Sequence, residues 1–176
     1  NGSLSETWRL TFEKADLVSA LTLAHDSLAV LAQTDGQTGI PNRRRFDEVL
    51  AADYGRLHRS GAPLSLLILD VDHFKAYNDH LGHAEGDVVL RQIAQAINRL
   101  ARRPGDLAAR YGGEEFVLLL PELGSANDVR EVLQKIMDSF KKPIRLDDVD
   151  FVMTFSIGVT LCPDDGQDVE TLLSQA

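Results

Sequence analysis

The sequence predicts an α/β or α+β sandwich, one sheet with helices packed on it, preceded by a long separate helix. Three observations carry this. Residues 4–33 contain no Gly or Pro and keep helical spacing. Beyond them, short apolar runs alternate with segments of 3.6-residue periodicity. Two of those runs, around 107–111 and 116–120, are joined by Gly112-Gly113-Glu114-Glu115, a glycine-bearing hairpin signal.

At 176 residues the chain suits one domain with room for an extra arm. Its 44% apolar and 26% charged residues are those of an ordinary globular chain that needs no covalent staples. The lone Cys162 cannot form an internal disulfide, which points to a reducing compartment and a cytoplasmic location. Eighteen Lys and Arg against 27 Asp and Glu give a net charge of −9, which argues against nucleic-acid binding. An anionic small molecule would need a metal or a local basic patch. No apolar run approaches the ~20 residues of a membrane span, so no membrane contact is expected from this stretch, although an anchor upstream is compatible with it. Asn1-Gly2-Ser3 lacks signal-peptide character and reads as a cloning remnant over residues 1–3.

Residues 4–34 form the first unit. Leu10, Leu17, Ala24 and Leu31 recur every seven residues, with Leu21 and Leu28 between them, an a/d seam spoiled only at Lys14. An amphipathic helix packed on its own domain and a parallel coiled coil joining two subunits both fit; the second is favoured. Asp35-Gly36 ends the helix, and residues 35–176 form the second unit. A helix capped by Asn42 runs to Ser60-Gly61, and Leu64–Asp72 is a buried strand. Residues 83–101 are helical, 102–106 a turn, and 125–140 a helix with Val129, Val132, Leu133 and Ile136 inward. Strands near 143–146 and 150–160 follow, and Asp168 opens a last helix that is cut off at Ala176.

Acids gather at element ends. Asp70 and Asp72 close the first strand, and Glu114 and Glu115 sit in the hairpin. If strand and hairpin are neighbours, one carboxylate from each converges. Such a pair is enough for Mg²⁺, which keeps waters and substrate phosphates as its other ligands.

Four ordered motifs then carry a resemblance. Tyr111-Gly112-Gly113-Glu114-Glu115-Phe116 resembles the signature hairpin of the GGDEF-domain family in its GGEEF form. Asp70-Val71-Asp72-His73-Phe74-Lys75-Ala76-Tyr77-Asn78-Asp79 resembles that family's DxDxFKxxND motif, and Gly82-His83-Ala84-Glu85-Gly86-Asp87 its GHxxGD motif. Thr38-Gly39-Ile40-Pro41-Asn42-Arg43-Arg44 resembles the TGLxNRR opening. The implied fold is that of nucleotidyl cyclases and polymerase palms, a central mostly antiparallel sheet flanked by helices. The implied activity is that of a diguanylate cyclase, which condenses two GTP into cyclic di-GMP and two pyrophosphates at the interface of a homodimer.

The resemblance implies roles residue by residue. Asp70, the Val71 carbonyl and Glu114 would hold Mg²⁺, with Mn²⁺ the alternative. Glu115 is the other essential acid, as base or metal-site partner. Lys75 would stabilise phosphate charge, and the amides near His73 and Phe74 would cradle phosphates. Asn78 and Asp87 match the guanine-reading pair, with His83 beside them. Asp72 and Asp79 are given structural roles. Arg103 and Asp106 form an RxxD at the offset where members bind product as an inhibitor. Gln37 replaces a usual Leu, read as a local packing change, and the family's pattern continues past Ala176 with a Lys and an Arg that contact phosphates. The alternative reading is a catalytically weak member that binds GTP or cyclic di-GMP as a signalling module.

Overall fold

A computed structural model describes residues 2–141, 143–146, 149–165 and 169–175. It divides into two compact units, Asn1–Thr34 and Asp35–Ala176.

The first unit is helix α1 (Gly2–Gln33). The hydroxyls of Thr22 and Thr34 donate back to the carbonyls of Val18 and Val30 at 2.9 and 2.8 Å, so these residues stay within the helix. The seam leucines Leu10, Leu17, Leu21, Leu28 and Leu31 are 59–72% exposed. Trp8, Phe12, Val18, Leu23 and Val30 are exposed as well, away from that seam. Apolar residues therefore surround much of the helix instead of forming one stripe. One expectation is corrected here. By length and composition Trp8–Gln33 passes for a membrane span, with a mean hydropathy of 1.3 in its most apolar window. Counting uninterrupted apolar residues missed this, because Ser, Thr and Ala dilute such a helix without disqualifying it.

The second unit is built on a four-stranded antiparallel sheet of order β2-β3-β1-β6. The strands are β1 (Leu64–Val71), β2 (Leu107–Gly112), β3 (Glu115–Pro121) and β6 (Phe155–Cys162). The central strand β1 is covered on both faces, which is why it reads as a continuous apolar run. Its odd residues Leu67, Leu69 and Val71 pack with Val89, Ile93 and Ile97 of α4 (His83–Asn98) and with Ile136 of α5 (Ala126–Phe140). Its even residues Leu64 and Leu66 pack with Phe46, Leu50 and Leu57 of α2 (Arg43–Ser60). Asn42 caps α2, its Oδ1 accepting from the Arg45 N–H at 3.0 Å, as its position before the helix predicts.

The sheet and its flanking helices are those expected, with two differences. An additional helix, α3 (Phe74–Leu81), follows β1 directly. The single strand expected near 150–160 is two: β5 (Val149–Phe151), paired with β4 (Ile144–Leu146), and β6. Between them the chain leaves the small hairpin for the free edge of β1, and the Thr154 carbonyl accepts from the Asp72 N–H at 3.0 Å. The last helix, α6, is described over Val169–Gln175; its expected start at Asp168 lies outside the described residues.

Candidate active site

The register of β1 brings the acids together. Asp70 lies opposite Glu115 across the β1–β3 ladder, so the two side chains share a face. The Val71 N–H donates to the Glu114 carbonyl at 3.3 Å, tying the strand end to the hairpin turn Gly113-Glu114. The Asp70 carboxyl is half-buried. It is held above its ordinary range first by burial, then by the negative charges of Glu114 and Asp72. A carboxylate raised by neighbouring carboxylates suits a cation between them.

Asp72 is turned to a different task. Strand β1 ends at Val71, and Asp72 beyond it accepts from the Ser156 hydroxyl at 2.7 Å. That bond and one from Thr154 lower its pKa. Among the described residues no group of three or more His, Cys, Asp or Glu side chains could hold a metal alone. Asp70, Glu114 and the Val71 carbonyl lie together at this strand end, and two carboxylates with a carbonyl are a donor set of the kind Mg²⁺ takes when water and phosphate supply its other positions.

A tight turn leads from this strand end into α3. His73 has φ 59°, left-handed backbone that is rare for a residue with a side chain, and it stands at the N-cap of α3 with no side-chain cap bond. Phe74 is buried and stacks parallel to Tyr77 at 6.2 Å, which pins the helix start to the core. Gly82 (φ 96°, ψ 160°) then ends α3 and begins α4, a conformation open to glycine, and so turns two short helices back on each other.

The fold between α3, α4 and the hairpin is a cavity of about 440 Å³. Phe74, Lys75, Asn78, His83, Asp87 and Glu114 all line it. Asp70, Val71, His73 and Glu115 are not in its wall; they stand at the strand end and hairpin beside it. Asn78 Oδ1 is buried with no hydrogen-bond partner among the described residues, an acceptor suited to a ligand donor. Arg103 and Asp106 belong to a second cavity, of about 580 Å³, between the 102–106 turn and α5. There Arg103 grips Asp106 in a fork, Nη2 to Oδ1 at 2.9 Å and Nε to Oδ2 at 3.3 Å.

Sequence reasoning missed two residues of the first cavity. Arg110 and Gln37 both line it, and Gln37 donates through Nε2 to Asp87 Oδ1. The reading of Gln37 as a mere packing change is thus corrected. The available signal was a polar side chain where the resembled motif has an apolar one.

Residues 32–176 match the family described as diguanylate cyclase, GGDEF domain. The chain belongs to the GGDEF family. Among curated relatives it is 39% identical over 160 residues to the cyclic di-GMP phosphodiesterase NbdA of Pseudomonas aeruginosa, covering 91% of this chain and 20% of that protein. It is 40% identical over 151 residues to the diguanylate cyclase TpbB of the same species, covering 85% and 34%. The chain thus spans a fifth to a third of the length of these relatives. Among solved structures, the coiled coil and GGDEF domain of DgcB from Caulobacter crescentus, in complex with c-di-GMP, matches with a TM-score of 0.85 at 30% identity, over 98% of this chain and 90% of that one.

Proposed function

We propose that this GGDEF domain is a diguanylate cyclase that condenses two GTP into cyclic di-GMP and two pyrophosphates. One observation carries the reading: Glu114 belongs both to the acid pair that perturbs Asp70 and to the wall of the cavity lined by Lys75, Asn78, His83 and Asp87. A cation held at the acids would therefore border the ligand in the cavity. When bound, Mg²⁺ neutralises triphosphate charge and polarises the attacking 3′-hydroxyl.

The chain's own residues supply the rest. Lys75 faces the triphosphate, and the His73 and Phe74 amides at the start of α3 donate to its oxygens. Asp87 accepts from the guanine N1–H and N2–H₂, and Asn78 and His83 complete the base site. Glu115, exposed beside Asp70 on the sheet face, takes the 3′-hydroxyl proton. One site holds half of a two-fold symmetric product, so two domains face each other, with paired α1 helices keeping them near. A bilayer-spanning role for α1 is disfavoured by Arg9, Glu13, Lys14, Asp16 and Asp26 within Trp8–Gln33, since one Asp at a membrane centre costs about 3 kcal/mol. Arg103 and Asp106 form the product-inhibition site.

A second reading, a catalytically weak module that binds GTP or cyclic di-GMP for signalling, draws support from the relative NbdA being named a phosphodiesterase. The presence of both Glu114 and Glu115 favours the enzyme. Incubation with GTP and Mg²⁺, followed by chromatography, tests it: cyclic di-GMP is expected from the parent and none from Glu114→Ala. GTP binding without any product would favour the module.

A further inference from the structure

We infer that Gln37 is a positioning residue for base recognition, fixing Asp87 so that its carboxylate meets a guanine edge. The inference rests on the reading of Asn78 and Asp87 as the base site.

Gln37 follows closely on the end of α1 and is half-buried in the cavity wall. Its two amide ends face partners of opposite kind. Nε2 donates to Asp87 Oδ1, and Oε1 accepts from Arg110 Nη1. A carboxylate accepts only and a guanidinium donates only, so the amide has a single allowed orientation. Arg110 is itself immobilised. Its Nε and Nη2 donate to the Gly113 carbonyl at 2.9 and 2.7 Å, and its Nη1 reaches Asp35 Oδ1 at 3.1 Å. Asp35 in turn accepts from the Thr38 N–H and hydroxyl at 2.8 and 2.6 Å. Gln37 is thus clamped at one end to a rigid network that also holds the catalytic turn, and at its other end it orients Asp87.

This bond does not compete with the ligand. An ionised carboxylate has about four lone-pair positions. Guanine's N1–H and N2–H₂ use two and Gln37 a third. Adenine offers no such pair of donors, so an oriented Asp87 helps guanine and not adenine. A leucine at this position could fill the space but would leave Asp87 free to rotate.

Binding of α,β-methylene analogues of GTP, ITP and ATP, which cannot transfer the nucleotidyl group, tests this by titration calorimetry. Gln37→Leu should weaken the GTP analogue about five- to tenfold, the net scale of one ordinary hydrogen bond, and leave the ATP analogue unchanged. ITP, lacking the 2-amino donor, should lose less than GTP. Gln37→Glu keeps an acceptor for Arg110 but removes the donor to Asp87, and should lose at least as much as Gln37→Leu. In an Asp87→Ala background Gln37→Leu should have no further effect. Unchanged guanine preference in Gln37→Leu, an equal loss for all three nucleotides, or a full effect persisting without Asp87 would each overturn the inference. Undiminished guanine preference in Asp87→Ala would instead remove the base-site reading on which it rests.

Discussion

Gly86 passes so close to Asn78 that a Cβ on it would stand 1.9 Å from the Asn78 Oδ1. The same Cβ would lie 3.2 Å from the Phe74 ring. The glycine of the GHxxGD motif is therefore space for the cavity's asparagine.

Gly86→Ala reverses an ordinary expectation. Glycine to alanine within a helix normally stabilises, by up to about 1 kcal/mol in the interior and less in a first turn such as this one. Here the methyl group must push the Asn78 carboxamide aside, an overpacking that costs about 1–3 kcal/mol. We expect no gain in thermal stability and roughly a tenfold loss of GTP affinity, since one base-site polar group is displaced. Calorimetric unfolding with nucleotide titration checks both; a stabilised variant with intact GTP binding would contradict the steric argument.

Asp70→Asn should trade function for stability. The Asp70 pKa is raised in the folded protein by burial and by the nearby acids, so the folded state disfavours its ionised form. Its favourable contribution is therefore present below the ordinary aspartate pKa and is lost as pH rises through the raised folded value. At neutral pH the variant should melt about 1–2 °C higher than the parent. Near pH 3 the two should converge. Mg²⁺ should raise the melting temperature of the parent and not of Asp70→Asn. A variant that melts lower at neutral pH would mean that burial and the neighbouring acids do not disfavour the ionised Asp70.

Arg103→Ala should relieve product inhibition. The Asp106 side chain is 3% exposed, and Arg103 meets it through Nε, Nη2 and the backbone N–H. That fork aligns the turn beside the second cavity, away from Asp70 and Glu114. The product concentration for half-inhibition should rise about tenfold or more, the scale of a lost charged contact, with initial turnover retained. Arg103→Lys keeps the charge without the fork and should relieve inhibition nearly as much. Inhibition curves at fixed GTP decide it.

Legibility differed sharply between elements. The β1 run, the Asn42 cap and the Gly112-Gly113 hairpin were readable because each depends on local sequence: two-sided burial, a capping side chain and a turn glycine. The α3 helix was not, because Phe74–Leu81 has eight residues, about two turns, and its start is set by the left-handed His73 instead of a capping side chain. The break between β5 and β6 depends on which edge of β1 is vacant, a tertiary fact that strand propensity does not contain. The acids were legible as carboxylates at a strand end and in a hairpin, whereas the base-site roles of Asn78 and Asp87 rest on the family resemblance alone. Gln37 escaped because its partners, Asp87 and Arg110, lie 50 and 73 residues away.

Helix α1 should pair with a second copy of itself. Its leucines at positions 10, 17, 21, 28 and 31 are all exposed, a row of apolar side chains that water does not favour. Pairing two such helices in parallel buries the row and keeps two catalytic domains at a high effective concentration. Leu21→Lys with Leu28→Lys places two charges on that seam of each helix and should separate the chains. The catalytic unit, with its own core of β1, α2 and α4, should keep its fold. Activity should then fall most in dilute protein and recover as concentration rises, because facing domains must meet by diffusion. Sedimentation and initial rates over a concentration series test the two halves together. An active parent monomer whose specific activity ignores concentration would exclude the paired-helix role.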